Sequence, residues 1–344
     1  MPFSLVYIWQ SRARSGGDRP LIVADPAIAV DVLASGRLCA IPTETVYGLA
    51  ANALNPQAVA AVFEAKNRPT NHPLIVHIAA MDALDLWIHD LPGWAHELAE
   101  AAWPGPLTLV GPSTSLASDA ITGGQETVAV RIPDHHLTLE VLTRLHELEV
   151  HGVVAPSANR FGHVSPTTAQ HVQNDLGEYL AAHDGVILDG GPCRVGVEST
   201  IVLATHNAPT ILRPGGITRK FISEVTGLEI LESTSHSPRV SGTLDSHYAP
   251  QARVTLLNTA EFDNQVHTKN PELSGAGLIA YRETATPDGM VRLCAPASAQ
   301  EYAHELYGAL RLADQQDLDS IIVVVPTDDG VAEAIRDRLQ RAAF

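Results

Sequence analysis

From residue 21 to residue 230 the chain alternates short apolar runs with longer amphipathic stretches. That alternation predicts strands separated by helices, an α/β arrangement. Leu38 to Pro42 reads as a short buried strand. Residues 55–65 read as a helix with a proline near its start, and Pro69 blocks continuation beyond its end. Residues 74–78, 107–110, 128–132, 153–155, 185–188 and 199–203 read as further strands. Most of them stop at Pro or Gly, so the polar residues beside them fall at strand ends, where α/β folds place ligands. Residues 231–250 are rich in Ser, Thr, Gly and Pro, and their composition predicts a linker or long loop. Beyond it, strands near 253–257, 277–281 and 320–325 and helices near 299–314 and 329–342 predict a small βαβ-type unit.

Composition narrows the class. A 344-residue chain with 45% hydrophobic and 18% charged residues has enough apolar material for one large core or two ordinary ones. It contains no run of eighteen apolar residues, which predicts no membrane span. At the N-terminus, basic residues follow the apolar stretch 3–9, the wrong order for a secretory signal. Cys39, Cys193 and Cys294 are odd in number and far apart, which suits reduced thiols in a cytoplasmic protein. A formal charge of −17 disfavours bulk nucleic-acid binding but allows a local basic cleft.

Two polar islands change the picture. Lys66-Asn67-Arg68-Pro69 and Pro156-Ser157-Ala158-Asn159 each interrupt apolar sequence. Only three of the 22 Lys and Arg residues are Lys, and one of them is Lys66. Two cations, a hydroxyl and an amide make a candidate polyanion site, since Arg clamps phosphate through its planar fork and Lys supplies a point charge. Taken alone, Lys66 also fits a solvated helix end. Arg131 lies within the apolar run 128–132, where it must find an anion or face water. Ser199 and Arg213 sit at two further strand ends, and either could be a turn device. The segment 42–49, PTETVYGL, reads by itself as a capped turn. Gly275 to Ala280 spells G-x-G-x-x-A but runs into an apolar stretch, so it reads as a loop entering a strand. The chain has no Walker loop, its His146, Glu147 and His151 have the wrong spacing for a zinc protease helix, and its sixteen His form no ligand cluster in sequence.

Seven ordered blocks carry a resemblance that no single motif does: PTETVYGLAANAL, EAKNRPTNHPLIVHI, WPGPLTLV, VAVRIP, APSANRFGHVSPT, GVESTIV and ILRPGG. Together they resemble the Sua5/YrdC family, threonylcarbamoyl-AMP synthases that act in formation of the tRNA modification t6A. SGTLDSHYAP resembles the linker of the two-domain Sua5 form. The resemblance implies a YrdC-like twisted open-sheet domain over 1–230, a linker or lid over 231–250, and a smaller Rossmann-like α/β C-terminal domain over 251–344. It implies that Lys66, Arg68, Ser157 and Asn159 are the catalytic set. It adds His72, Thr127, Ser165, Arg213 and Tyr248 to the ATP side, and places Thr45, His77, Arg131, Ala155 and Ser199 around threonine. Mg²⁺ is expected on the phosphates of ATP, with no protein cage.

The implied reaction joins L-threonine, bicarbonate or CO2, and ATP into an adenylate and pyrophosphate. The adenylate then passes to a t6A transferase complex in the cytoplasm, without strong direct nucleic-acid or membrane binding. One rival is a carbamoyl-adenylate-forming carbamoyltransferase, since YrdC-like domains occur there too. A rival of another class is an RNA-binding module using Lys66 and Arg68 as a basic groove.

Overall fold

The computed structural model describes residues 20–242 and 248–344. The reading of the N-terminal apolar stretch, and the lid residues Thr243 to His247, lie outside the described residues. Ten strands form one open sheet: β1 (Ile22–Val23), β2 (Cys39–Ile41), β3 (Gly48–Asn52), β4 (Ile75–His77), β5 (Leu107–Pro112), β6 (Thr127–Arg131), β7 (Val153–Val154), β8 (Val186–Leu188), β9 (Thr200–Leu203) and β10 (Thr210–Arg213). Their spatial order is β1-β8-β2-β3-β7-β4-β6-β5-β9-β10, with parallel and antiparallel pairs mixed.

Strand pleating gives this sheet two chemically different faces. Val76, Val130 and Val154 are fully buried and join the main core. Their neighbours one residue along point to the opposite face. There β4 and β6 pair in parallel with His77 opposite Arg131, and the Ala155 amide donates to the Ile75 carbonyl. Ile75, His77, Arg131 and Ala155 therefore share one face.

The helix Pro56–Lys66 starts where Asn55 accepts from the Gln57 and Ala58 amides, with Pro56 at the first position. It ends at Asn67, which takes the left-handed conformation at φ 51°. Val59, Val62 and Phe63 bury its inner face. This turn fixes Lys66 and Arg68 beside the 156–159 loop.

The second unit is a four-stranded parallel sheet: β11 (Arg253–Leu257), β12 (Gly277–Ile279), β13 (Val291–Cys294) and β14 (Ser320–Val324), in the order β11-β14-β12-β13. Gly277 opens a strand, so the G-x-G-x-x-A spelling does not open a helix as a dinucleotide site requires. Helices Ala299–Gln315 and Ala332–Ala342 supply Tyr302, Leu306, Tyr307, Ile335 and Leu339 to a core that also takes in Val46, Val164, Val197 and Tyr248. The two units thus share apolar packing around Tyr248. The helix Arg219–Thr226 packs instead on the helix Gly93–Ala102 of the first unit.

Candidate functional site

A cavity lies on the polar face of the large sheet. Thr45, Val46, Ile75, His77, Arg131, Ala155 and Ser157 line one part of it. Arg68, Glu198, Ser199, Arg213, Ser241, Gly242 and Tyr248 line the rest. All of the residues expected around threonine therefore meet in one place, although they come from segments between residues 45 and 199. On the nucleotide side, Arg68, Ser157, Arg213 and Tyr248 reach the cavity.

Other expected residues stand behind it. Lys66 is 1% exposed, and its Nζ donates to the carbonyls of Ser157 at 2.5 Å and Asn159 at 2.6 Å. It ties the helix end to the loop. Asn159 donates from Nδ2 to the carbonyls of Arg160 and His163, both at 2.8 Å. Ser165 Oγ is 2.7 Å from Glu198 Oε1. His72 stacks edge-on against Phe161, and Thr127 lines a neighbouring hollow with Val240 and Ser241.

The cations are buried. Arg68 donates from Nη2 to the Pro73 carbonyl at 3.0 Å and to Ser241 Oγ at 3.2 Å, while its Nε has no hydrogen-bond partner among the described residues. Arg213 donates to the Ser199 carbonyl at 2.8 Å and to the Ser241 carbonyl at 2.8 Å. Ser241 thus fastens the linker across both guanidinium groups. Burial lowers the Arg68 guanidinium to about 10 and takes Lys66 well below its ordinary value, with Arg68 adding to the effect on Lys66. Burial, then Arg131, lowers His77 to about 3, so its ring is neutral at physiological pH. Because Lys66 and Arg68 are both buried, they do not form an exposed basic groove for RNA.

Two carboxylates had no role in the sequence reading. Glu44 is 1% exposed and lies 2.6 Å from Arg131, with its other oxygen accepting from the Asp134 amide at 3.0 Å. Glu198 accepts from Ser165, from Tyr307 at 2.8 Å and from Arg338 at 2.7 Å. Burial pushes its carboxyl up, but Arg338 and then Arg213 outweigh that and hold it at about 2. Acidic residues inside the PTET and GVEST blocks were the available signal. A buried carboxylate in a strand-end motif requires a cation nearby.

Fold and cavity together define an α/β protein with a cleft built for anions, in which buried guanidinium groups converge with hydroxyls at strand ends. The family model described as telomere recombination, Sua5/YciO/YrdC, matches residues 31–215. A second, described as the C-terminal domain of threonylcarbamoyl-AMP synthase, matches residues 217–344. The chain belongs to the Sua5/YciO/YrdC family. The threonylcarbamoyl-AMP synthase of Bacillus subtilis is 39% identical, with 93% of each chain covered. That of Pyrococcus abyssi is 36% identical, covering 92% of this chain and 93% of that one. The crystal structure of P. abyssi Sua5 complexed with L-threonine superposes with a TM-score of 0.81 at 35% identity, over 94% of this chain and 97% of that one.

Proposed function

We propose that this enzyme forms L-threonylcarbamoyladenylate and pyrophosphate from L-threonine, bicarbonate or CO2, and ATP. The observation that carries the reading is the single cavity where Arg131, His77, Thr45 and Ser199 face Arg68 and Arg213. Arg131 holds the amino-acid carboxylate, with Glu44 fixing its guanidinium from behind. Thr45 and Ser199 read the amine or side-chain hydroxyl. Arg68 and Arg213 hold the triphosphate, and the Arg68 Nε, which has no hydrogen-bond partner among the described residues, supports an anion there. Lys66 and Asn159 shape the 156–159 loop, which brings Ser157 to the cavity.

In this reading the threonine nitrogen attacks the CO2 carbon and loses a proton, giving an N-carboxylate. One carboxylate oxygen then attacks the α-phosphorus, and the bond to the pyrophosphate oxygen breaks. The protein contributes positioning and charge stabilisation, with no covalent nucleophile. Glu198, the one carboxylate among the described lining residues, is already engaged by Ser165, Tyr307 and Arg338. That donor set fits Mg²⁺ carried on the phosphates of ATP, where the ion neutralises charge.

With Ser241 on Arg68 and Arg213, the cavity has room for only about 50 Å³. Ligand pockets commonly enclose roughly 300–1,000 Å³. We therefore read the linker as a lid that lifts to admit ATP and closes to shield the adenylate from water. The product passes to a t6A transferase complex in the cytoplasm. Among the described residues no helix is long and apolar enough to cross a membrane.

The test is pyrophosphate release by the full chain with each substrate omitted in turn. Release that requires ATP, threonine and bicarbonate supports the assignment. Release that proceeds without threonine overturns it.

A further inference from the structure

Arg338 lies in the second unit, on the helix Ala332–Ala342, yet it is 1% exposed against the wall of the cavity. Its Nε donates to Glu198 Oε2 at 2.7 Å and its Nη2 to the Pro214 carbonyl at 3.0 Å. Its guanidinium carbon sits 5.3 Å from the centre of the Tyr248 ring. Tyr307 of the same unit donates to the same Glu198 oxygen and stacks on Tyr248 with ring centres 5.5 Å apart. Glu198 and Pro214 immediately precede and follow the lining residues Ser199 and Arg213, which are themselves hydrogen-bonded. One side chain of the second unit therefore touches both flanks of the site and the linker's Tyr248 ring.

Charge explains why a cation is needed there. The cavity receives a triphosphate and an amino-acid carboxylate, and Glu198 puts a negative charge in its wall. An unpaired buried carboxylate repels those ligands or takes up a proton. A buried ion pair is weak evidence for stability as such, because desolvation offsets its attraction. The contacts of this pair instead point at the site.

We propose that Arg338 is a positioning residue for adenylate formation, holding Glu198, the Arg213 turn and Tyr248 so that the cavity is complete only with the second unit docked. The inference rests on the reaction assigned above. It predicts a particular pH signature. The groups facing Glu198 are Ser165 and Arg213 of the first unit, Tyr248 of the linker, and Tyr307 and Arg338 of the second, with Asp337 paired to Arg338 behind them. Without Arg338, the carboxyl titrates at higher pH; its unpaired charge repels the anionic substrates above that value, and activity recovers as pH drops through it.

The experiment compares pH profiles of kcat/KM for the full chain. Arg338→Met is expected to be about tenfold or more less active near pH 8 than near pH 6, a limb absent in wild type. Glu198→Gln combined with Arg338→Met abolishes the limb, because no carboxyl remains to titrate. Glu333→Gln, which breaks an ion pair to Arg219 across the units without touching a lining residue, keeps wild-type kinetics. Arg338→Gln, which keeps an amide donor but no charge, shows the same limb and serves if Arg338→Met does not fold. A wild-type pH profile in Arg338→Met or in Arg338→Gln, or an equal loss in Glu333→Gln, overturns the proposal. Calorimetric titration with ATP reads the same clamp without turnover, and unchanged affinity in a folded Arg338→Met also overturns it. A wild-type chain that releases no pyrophosphate overturns the reaction assignment instead.

Discussion

Replacing Gly242 with alanine tests the lid at the point where its geometry is tightest. Gly242 has φ +79°, a conformation that L-residues with a side chain adopt at a cost of roughly 1–2 kcal/mol. A Cβ built there would stand 2.2 Å from the Tyr248 hydroxyl and 3.0 Å from Arg213 Nη1. Such overpacking adds about 1–3 kcal/mol. The sum, roughly 2–5 kcal/mol, acts on closure of the linker, because Gly242 lies outside both sheets. At about 1.4 kcal/mol per decade, the closed arrangement loses at least ~30-fold in relative population. Hydrogen exchange of the peptide containing Val240, Ser241 and position 242 should speed up by a similar factor, with the sheets still protected. The fraction of adenylate lost to hydrolysis before capture should rise. Unchanged exchange together with unchanged hydrolysis would refute the idea that this turn holds a lid.

Four further outcomes follow from the same contacts. Arg131→Ala weakens threonine binding roughly ten- to hundredfold while leaving ATP binding nearly intact, since a hydrogen bond to a charged group contributes ~1.5–3 kcal/mol; calorimetry of both ligands checks this, and unchanged threonine binding removes Arg131 from the pocket. Arg68→Ala slows adenylate formation more than it weakens adenosine recognition, because charge on the departing pyrophosphate grows in the transition state; wild-type turnover would contradict it. Lys66→Met lowers unfolding free energy by about 2–4 kcal/mol, since two buried carbonyls lose their donor while relief of the buried charge offsets part of the loss; a urea midpoint equal to wild type would count against it. Glu198 contributes stability that is fully present above its ordinary 4.5 and is lost as pH falls toward about 2, because the unfolded chain binds the proton first; acid unfolding of Glu198→Gln should show a shallower slope over that window.

Much of the sheet was legible because its strands are short apolar runs closed by Pro or Gly. The runs at 38–42, 74–78 and 128–132 became Cys39–Ile41, Ile75–His77 and Thr127–Arg131. The strand Gly48–Asn52 was not legible, because its Gly-Leu-Ala-Ala-Asn sequence has low strand propensity and is held by tertiary pairing on both sides. The meeting of Thr45, His77, Arg131, Ala155 and Ser199 in one cavity was legible through the family blocks. Periodicity alone would not have gathered residues as far apart as Thr45 and Ser199. Lys66 drew attention as a phosphate ligand because charge is visible in sequence, whereas its carbonyl partners, 91 and 93 residues away, are not. For the same reason Glu198 went unremarked. Its neutralising Arg338 lies 140 residues away in the other unit, and an alternating strand-end motif says nothing about a partner at that distance.

The central claim is that one cavity joins threonine, inorganic carbon and the adenylyl group of ATP. Mass spectrometry of the product formed from 13C-labelled bicarbonate, unlabelled threonine and ATP tests it most directly. The account predicts an adenylate containing threonine and a single labelled carbon, formed in equal amount with pyrophosphate. An adenylate of threonine itself, without the label, would contradict it.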